Sequence, residues 1–412
     1  MSEATAPWQW RLPDGWTTKP LFSVGRETKV KNVGLREQNL LSLSYGRIVA
    51  KDINTSEGLL PESFETYQIV SVGDIVFRFT DLQNDKRSLR SARVDQRGII
   101  TSAYMAFTPT KVSSRFFEYL MRAYDVSKVF YGMGGGLRQS LKYDDVRRMP
   151  VVLPPLAEQR GIADFLDRET GKIDALIKKQ TELITRLHER RQAVIETCML
   201  TEAEPVKFGY YLDALPGNAF ASDRFEPGGE GVRLLRGINV KPGCTDWSER
   251  VDWALDDVTP YERYRLCEGD VVLGLDRPFV SGGTRVAAIA DADLPALLLQ
   301  RVVRFRPRVG LTSRFLQLVL ASRAFVEYAT PEFTGVSVPH LSDSQVRAFR
   351  VPLPSAADQE RITNTIDHEM ARIDELIGKT ERMIELSKER RSALITAAVT
   401  GQIDVNEHGG AA

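Results

Sequence analysis

Residues 81–93 read Asp81-Leu82-Gln83-Asn84-Asp85-Lys86-Arg87-Ser88-Leu89-Arg90-Ser91-Ala92-Arg93. Four cations, Lys86, Arg87, Arg90 and Arg93, fall in a short span, with the side-chain amides of Gln83 and Asn84 just ahead of them. Guanidinium and ammonium groups pair with phosphate oxygens, arginine pairs with guanine, and asparagine or glutamine pairs with adenine. The set therefore has the chemistry of a nucleic-acid contact, against the plain reading of a solvated loop. Further on, the run from Tyr131 to Ser140 contains Gly132, Gly134, Gly135 and Gly136 ahead of Arg138 and Gln139. Glycines let a backbone approach phosphate closely, although the bland reading is a connector. A second arginine-bearing stretch, Leu266 to Arg306, carries Arg277, Arg285, Arg301, Arg304 and Arg306, and Ser337 and His340 follow it.

Catalytic signatures are missing around these residues. Neither G-x-x-x-x-G-K-[ST] nor a strand–GxGxxG–helix unit occurs, and HExxH and GxSxG are missing too. His188, His340, His368 and His408 are dispersed, and Cys198, Cys244 and Cys267 lack ligand or disulfide spacing. We therefore expect no catalytic residue and no metal site in this chain.

The elements that must hold such loops are legible around them. Gln68–Val72, Asp74–Phe79 and Gly98–Thr101 are strand-like runs, with a tight turn expected at Gly73-Asp74. Residues from Ser114 through Val129 have the spacing of an amphipathic helix. The same plan recurs downstream with little identity: Glu268-Gly269-Asp270-Val271-Val272-Leu273 echoes Val72-Gly73-Asp74-Ile75-Val76-Phe77. Thr312-Ser313-Arg314-Phe315 likewise echoes Ser113-Ser114-Arg115-Phe116, while the intervening middles differ.

The recurrence is plain in two long segments. Leu153–Ile195 and Leu353–Ile395 align without a gap at an offset of 200 and are identical at 18 of 43 positions, which marks an internal duplication. Each copy opens on a proline and then has none. Apolar residues recur at spacings of three and four: Ile173, Ile177, Ile184 and Leu187 in one copy, Ile373, Ile377, Ile384 and Leu394 in the other. Polar Gln180, Arg191, Thr380, Ser387 and Arg391 enter the same register. A lone helix cannot bury such a stripe, so each copy should pair with its duplicate, and antiparallel pairing needs no long return connection.

The expected organisation is an α+β chain with a globular unit at 1–150, a helix at 151–204, a second unit at 205–350, a second helix at 351–404 and a frayed tail at 405–412. Two mixed α/β domains are thus separated by an intramolecular antiparallel coiled coil with pseudo-twofold symmetry. Net charge is zero, 55 Lys+Arg against 55 Asp+Glu, but residues 1–150 carry +6, 22 against 16. No apolar run approaches the ~18 residues of a membrane span. Trp8, Trp10 and Trp16 stand where a signal peptide would need an apolar stretch, so we expect a soluble cytoplasmic protein.

Over its whole length the chain resembles the specificity subunits of type I restriction-modification systems. The resemblance is carried by Leu153-Pro154-Pro155-Leu156-Ala157-Glu158-Gln159-Arg160-x-Ile162 with the Ile173-Asp174 helix, by the second copy at Leu353-Pro354, and by Gly135, Leu141, Val146, Arg147 against Gly335, Leu341, Val346, Arg347. The opening Leu12-Pro13-x-Gly15-Trp16 also carries it. It departs at Ser355-Ala356-Ala357-Asp358, where Ser355 and Asp358 can form a helix cap instead. The opening of the second unit, Pro205-Val206-Lys207-Phe208, lacks the Leu-Pro-x-Gly-Trp signature.

The resemblance implies two target-recognition domains, each reading one half of a split, asymmetric site on double-stranded DNA. It also implies two modification subunits docked on the helices and bringing S-adenosylmethionine, restriction subunits bringing ATP and Mg²⁺, and no cofactor or catalytic residue in this chain. On these grounds the expected DNA contacts are Gln83, Asn84, Lys86, Arg87, Arg90, Arg93, Arg138 and Gln139 in the first unit, and Arg277, Arg285, Ser337 and His340 in the second. A near-neutral total predicts weak DNA binding by the chain alone, because phosphate contacts supply most non-specific affinity. The competing reading is a non-catalytic coiled-coil adaptor whose end domains bind proteins; a nuclease or methyltransferase is disfavoured by the missing motifs.

Overall fold

A computed structural model describes residues 11–54, 63–82, 89–133, 140–199, 202–229, 231–254, 258–280, 283–332 and 339–405. Gln83, Asn84, Lys86, Arg87, Arg138, Gln139, Ser337 and residues 406–412 lie outside the described residues. The α-helices among the described residues are α1 (Ser114–Val126), α2 (Tyr143–Val146), α3 (Leu156–Met199), α4 (Ser313–Ala321), α5 (Arg323–Ala329), α6 (Asp343–Ala348) and α7 (Ala356–Val399). The duplication is visible in α3 and α7, which have 44 residues each and start and stop at the same 200-residue offset.

Two compact units form: Met1–Thr181 with Glu381–Ala412, and Glu182–Thr380. Each long helix gives one end to each unit. Neither helix begins where the proline reading put it. Pro150–Leu153 and Arg350–Pro352 are strands, pairing antiparallel with Thr17–Pro20 and Pro205–Lys207. The residue before a proline is driven to extended backbone, so Leu153 and Leu353 cannot open a helix. The first helical amides fall further on, with the Gln159 and Gln359 N–H groups donating to the carbonyls of Pro155 and Ser355. At the second start Ser355 Oγ accepts from the Asp358 amide at 3.2 Å and donates to its carboxylate at 2.7 Å, the cap expected from sequence.

In the first unit a four-stranded antiparallel sheet runs Gly25–Thr28, Met105–Pro109, Ile75–Phe77, Ser91–Arg93. A five-stranded sheet runs Val30–Lys31, Gln68–Val70, Gly98–Ile100, Leu40–Ser44, Arg47–Lys51. The turn at Gly73-Asp74 forms, with Gly73 at φ +94° and the Asp74 amide on the Ser71 carbonyl. Its two flanking strands enter different sheets, so it carries the chain from one sheet to the other rather than closing a hairpin. The core under the four-stranded sheet includes Phe77, Phe107, Phe116, Phe117 and Phe130 from the globular part. The helix ends join it through Ile162, Leu166, Ile395 and Val399.

The second unit repeats the frame: Leu212–Pro216, Val302–Pro307, Val271–Gly274 and Val286–Ala288 make the equivalent antiparallel sheet. Its other large sheet is different, four strands in the order Glu226–Pro227, Val251–Trp253, Val232–Leu235, Ala296–Leu298, the last pair parallel. Around it Phe220, Trp253 and Tyr261 pack with centroids 4.7–5.6 Å apart, Trp253 edge-on to the other two rings.

Within each unit the helix ends run antiparallel. In the first, Asp174 pairs with Arg391 at 2.9 Å, while the more N-terminal Ile162 and Leu166 share a core with the more C-terminal Ile395 and Val399. In the second, Leu187 clusters with Ile373 and Ile377, Arg191 pairs with Asp374, and Ile195 shares a core with the earlier Ile362 and Ile366. The two ion pairs exchange roles under the offset: Asp174 corresponds to Asp374 and Arg391 to Arg191. Ile184 packs against the Leu187 cluster, Leu394 against the core of the first unit, and Ile384 is buried. Ile173 and Ile177 are half-buried. Gln180 is buried with neither amide atom hydrogen-bonded.

A second duplicated device ties the starts of α1 and α4 to the starts of the long helices. Gln159 Oε1 accepts from the Ser113 amide and Nε2 donates to the Pro154 carbonyl, both at 2.9 Å. Gln359 does the same with Thr312 at 2.9 Å and Pro354 at 2.9 Å, and adds Gly310 at 2.7 Å. At the second residue of α1 and of α4, Arg115 pairs with Asp164 and Asp167, and Arg314 with Asp367.

Candidate nucleic-acid interface

In the first unit, the strand Ile75–Phe77 continues to Phe79, whose ring stacks on Phe77 and meets Phe130 edge-on, each at 5.0 Å. This fixes where the chain leaves the sheet. The Phe79 carbonyl accepts from the Leu141 amide at 3.0 Å. Phe79, where the chain leaves the sheet ahead of the basic segment, and Leu141, just past the glycine-rich segment, are therefore neighbours, although 62 positions of sequence separate them.

Arg90 has a different place from the one expected of it. It is fully enclosed. Its guanidinium donates to the carbonyls of Thr80 at 3.1 Å and Asp81 at 3.4 Å and to the Tyr131 hydroxyl at 3.3 Å. Its amide donates to Asp125 Oδ2 at 2.5 Å. Arg90 thus staples the two ends of the 82–89 segment, with Asp81 held at φ +57°, and presents no face to a ligand. Burial pushes the Asp125 carboxyl above its ordinary range, against the Arg90 amide and nearby cations, which pull it down. Arg93 sits on the Ser91–Arg93 strand and pairs with Glu118 of α1 at 3.1 Å, both partly exposed.

The surface that sequence reasoning missed lies on the other side of this junction. A groove of about 320 Å³ is lined by Lys29, Lys31, Gln68, Tyr104, Lys142 and Tyr143 among others. Gln68 holds the turn beside it by donating to the carbonyls of Thr101 and Tyr104. Lys142 is exposed and lies two residues past the glycine-rich segment. Burial raises the Tyr143 hydroxyl pKa, with the Glu27 charge adding to it. Lys29, paired with Glu27 at 2.9 Å, and Lys31 both line the groove, beside the acidic Glu27 and Asp144; the Lys29-x-Lys31 spacing was the available signal.

The second unit builds the same junction from other residues. Leu275, just past Val271–Gly274, accepts from the Leu341 amide at 3.0 Å, and the Arg277 amide donates to the Pro339 carbonyl at 2.8 Å. Asp276 and His340 form a β-bridge between these segments. Arg277 is exposed with φ +46°. Arg285 donates to the carbonyls of Val240 at 3.1 Å and Asp276 at 3.2 Å. Burial lowers its pKa, with the Asp276 charge opposing. His340 Nδ1 lies 2.7 Å from Asp276 Oδ1. The structure thus brings Arg277, Arg285 and His340 together. Arg304 and Arg306 of the same stretch are held within the sheet by Asp213 at 2.7 Å and Asp270 at 2.6 Å.

Among the described residues no group of three or more His, Cys, Asp or Glu could hold a metal ion, and no helix is long and apolar enough to cross a membrane.

No family model matches the chain. It is similar to the specificity subunit of the type I restriction enzyme EcoAI of Escherichia coli, 34% identical over 202 residues, covering 48% of this chain and 33% of that protein. It is also similar to the specificity subunit of the type I restriction enzyme MjaVIII of Methanocaldococcus jannaschii, 26% identical over 272 residues and 62% of each. The chain thus spans less than two thirds of the length of these relatives. Its fold is that of a chain solved for complex assembly and conformational transition of the type I R-M system, with a TM-score of 0.74 at 15% identity, covering 96% of this chain and all of that one. The HsdS subunit of Thermoanaerobacter tengcongensis shares it with a TM-score of 0.53 at 16% identity, over 96% and 99%.

Proposed function

We propose that this chain is the DNA-reading specificity subunit of a type I restriction-modification complex, with one unit for each half of a split site. One observation carries the reading: in both units the carbonyl just past the central frame strand accepts from the leucine amide ahead of the short helix, Phe79 from Leu141 and Leu275 from Leu341, on equivalent sheets, while the sequences of the adjoining segments differ. A common frame under divergent loops is what two readers of different sequences require.

The contacts we assign in the first unit are the 83–87 segment with Arg138 and Gln139, joined by Lys29, Lys31 and Lys142. In the second they are Arg277, Arg285, Ser337 and His340. Arg90 and Arg93 act within the first unit, as the loop staple and as the partner of α1.

Two modification subunits would dock on α3 and α7. Leu176 on α3 and Leu376 on α7, one in each unit, are exposed leucines at matching positions of the repeat, so each unit offers the same exposed apolar residue. S-adenosylmethionine, ATP and Mg²⁺ would then belong to the partner subunits, and this chain performs no chemistry itself. Such a complex works in the cytoplasm, where the DNA is.

The test is genome-wide mapping of methylated bases in cells carrying the chain with residues 70–140 exchanged for those of a relative. One half of the methylated sequence should change and the other persist. An unchanged pattern would sink the reading and revive the protein-binding adaptor.

A further inference from the structure

Asp276 is the meeting point of four segments of the second unit. Its Oδ1 lies 2.7 Å from His340 Nδ1 and 3.6 Å from Arg301 Nη1, and its backbone carbonyl accepts from Arg285. The Arg301 carbonyl accepts from the Leu275 amide at 2.9 Å, which fixes the arginine backbone beside the Asp276 loop. The Arg301 side chain is 61% exposed. It contrasts with Arg304 and Arg306, which lie on the strand Val302–Pro307 that follows it and are held in ion pairs with Asp213 and Asp270. Arg277 and Arg301 both hold left-handed backbone, at φ +46° and +68°. Glycine or asparagine would occupy such positions with less strain, so side-chain chemistry, not backbone preference, accounts for two arginines there.

We propose that Arg301 reads a guanine in the half-site met by the second unit, with Asp276 as the positioning residue that orients Arg301 and His340. The inference rests on the DNA-reading assignment above. A guanidinium fork matches guanine O6 and N7 bidentately. A carboxylate behind the fork limits its orientation and repels phosphate, which favours a base edge over the backbone as the ligand. Asp276 is also an acceptor suited to the amino group of the paired cytosine.

The experiment uses the reconstituted complex and a duplex library randomised in the half-site assigned to residues 205–350, with methylated products sequenced. Variants are Asp276→Asn, Arg301→Ala and Arg301→Lys, beside a chain with residues 205–350 exchanged for a relative's. Arg301→Ala should relax the preference at one guanine by about 10- to 100-fold, leaving the other half-site intact. Lysine should not restore it, because an ammonium lacks the fork. Asp276→Asn should lower the same preference without weakening binding to a random duplex; a merely structural role would lower both together.

Uniform weakening on all sequences, rescue by lysine, or a relaxed position that is not a guanine would overturn the proposal. If the exchanged unit changes its half-site while the point variants leave specificity intact, the inference fails and the DNA-reading assignment stands. If the exchange changes neither half, the assignment itself fails.

Discussion

Gln159 and Gln359 are the sharpest place to test how the starts of α1 and α4 are fixed to the long helices. Gln159 is 3% exposed and Gln359 is not exposed at all. Truncation to alanine removes the partner of two backbone groups at Gln159, the Ser113 amide and the Pro154 carbonyl. At Gln359 it removes the partner of three, Thr312, Gly310 and Pro354. A buried polar group left unpaired costs about 1–3 kcal/mol, reduced where water can enter. Gln159→Ala should therefore destabilise the first unit by roughly 2–4 kcal/mol, and Gln359→Ala the second by roughly 3–5 kcal/mol. Both are large against the 5–15 kcal/mol typical of a domain. Urea unfolding followed by tryptophan fluorescence and calorimetry reads the two, with exposed Lys178→Ala on α3 as the control. Gln159→Glu separates the two bonds: the carboxylate still accepts from Ser113 but must be protonated to donate to Pro154. Its folded-state pKa would be raised, so the penalty is absent at low pH and appears as pH rises through that value. The variant should be nearer the parent at about pH 5 than at about pH 8. Shifts under about 0.5 kcal/mol for both alanine variants, no larger than the control, would refute the reasoning.

Gln180→Leu should raise the melting temperature, by about 1–2 kcal/mol of stability, because it removes a buried amide with neither atom bonded; a lower melting temperature counts against this. Asp125→Asn should stabilise the first unit at neutral pH. The carboxyl pKa is raised by burial, so ionisation costs stability above its folded value and the cost fades as pH falls toward protonation. A pH–stability profile with the parent's slope would show that Asp125 is not its source. Lys142→Ala in the assembled complex should weaken binding on every duplex alike and lessen the slope of log K against log salt by about 0.9. A sequence-selective loss would instead make Lys142 a base reader.

The long helices were legible down to their period because helical pairing of side chains is local, and the offset of 200 places both starts and both ends of α3 and α7. Their first residues were misplaced by a few positions: the opening proline follows a strand that pairs with residues 130 or more positions away, and no local rule sees that partner. The identity of Asp167 with Asp367 and of Gln159 with Gln359 was visible, but not its reason. Their partners Arg115, Arg314, Ser113 and Thr312 are 46 to 53 residues distant.

The junctions show the same division more sharply. Spacing alone marked the 81–93 and 131–140 segments, and the stretch around Arg277, as stretches able to pair with nucleic acid. It could not separate Arg90, enclosed against Tyr131 and Asp125, from cations that face solvent, nor show Arg301 and His340 meeting on Asp276. The duplication, the two helices and the common frame could be read from the residues, because they follow from the 200-residue offset and from spacings of three and four along the chain. The tertiary structure alone decided which arginines hold a loop and which are presented, because the partner of a charged side chain is set by segments that only packing brings together.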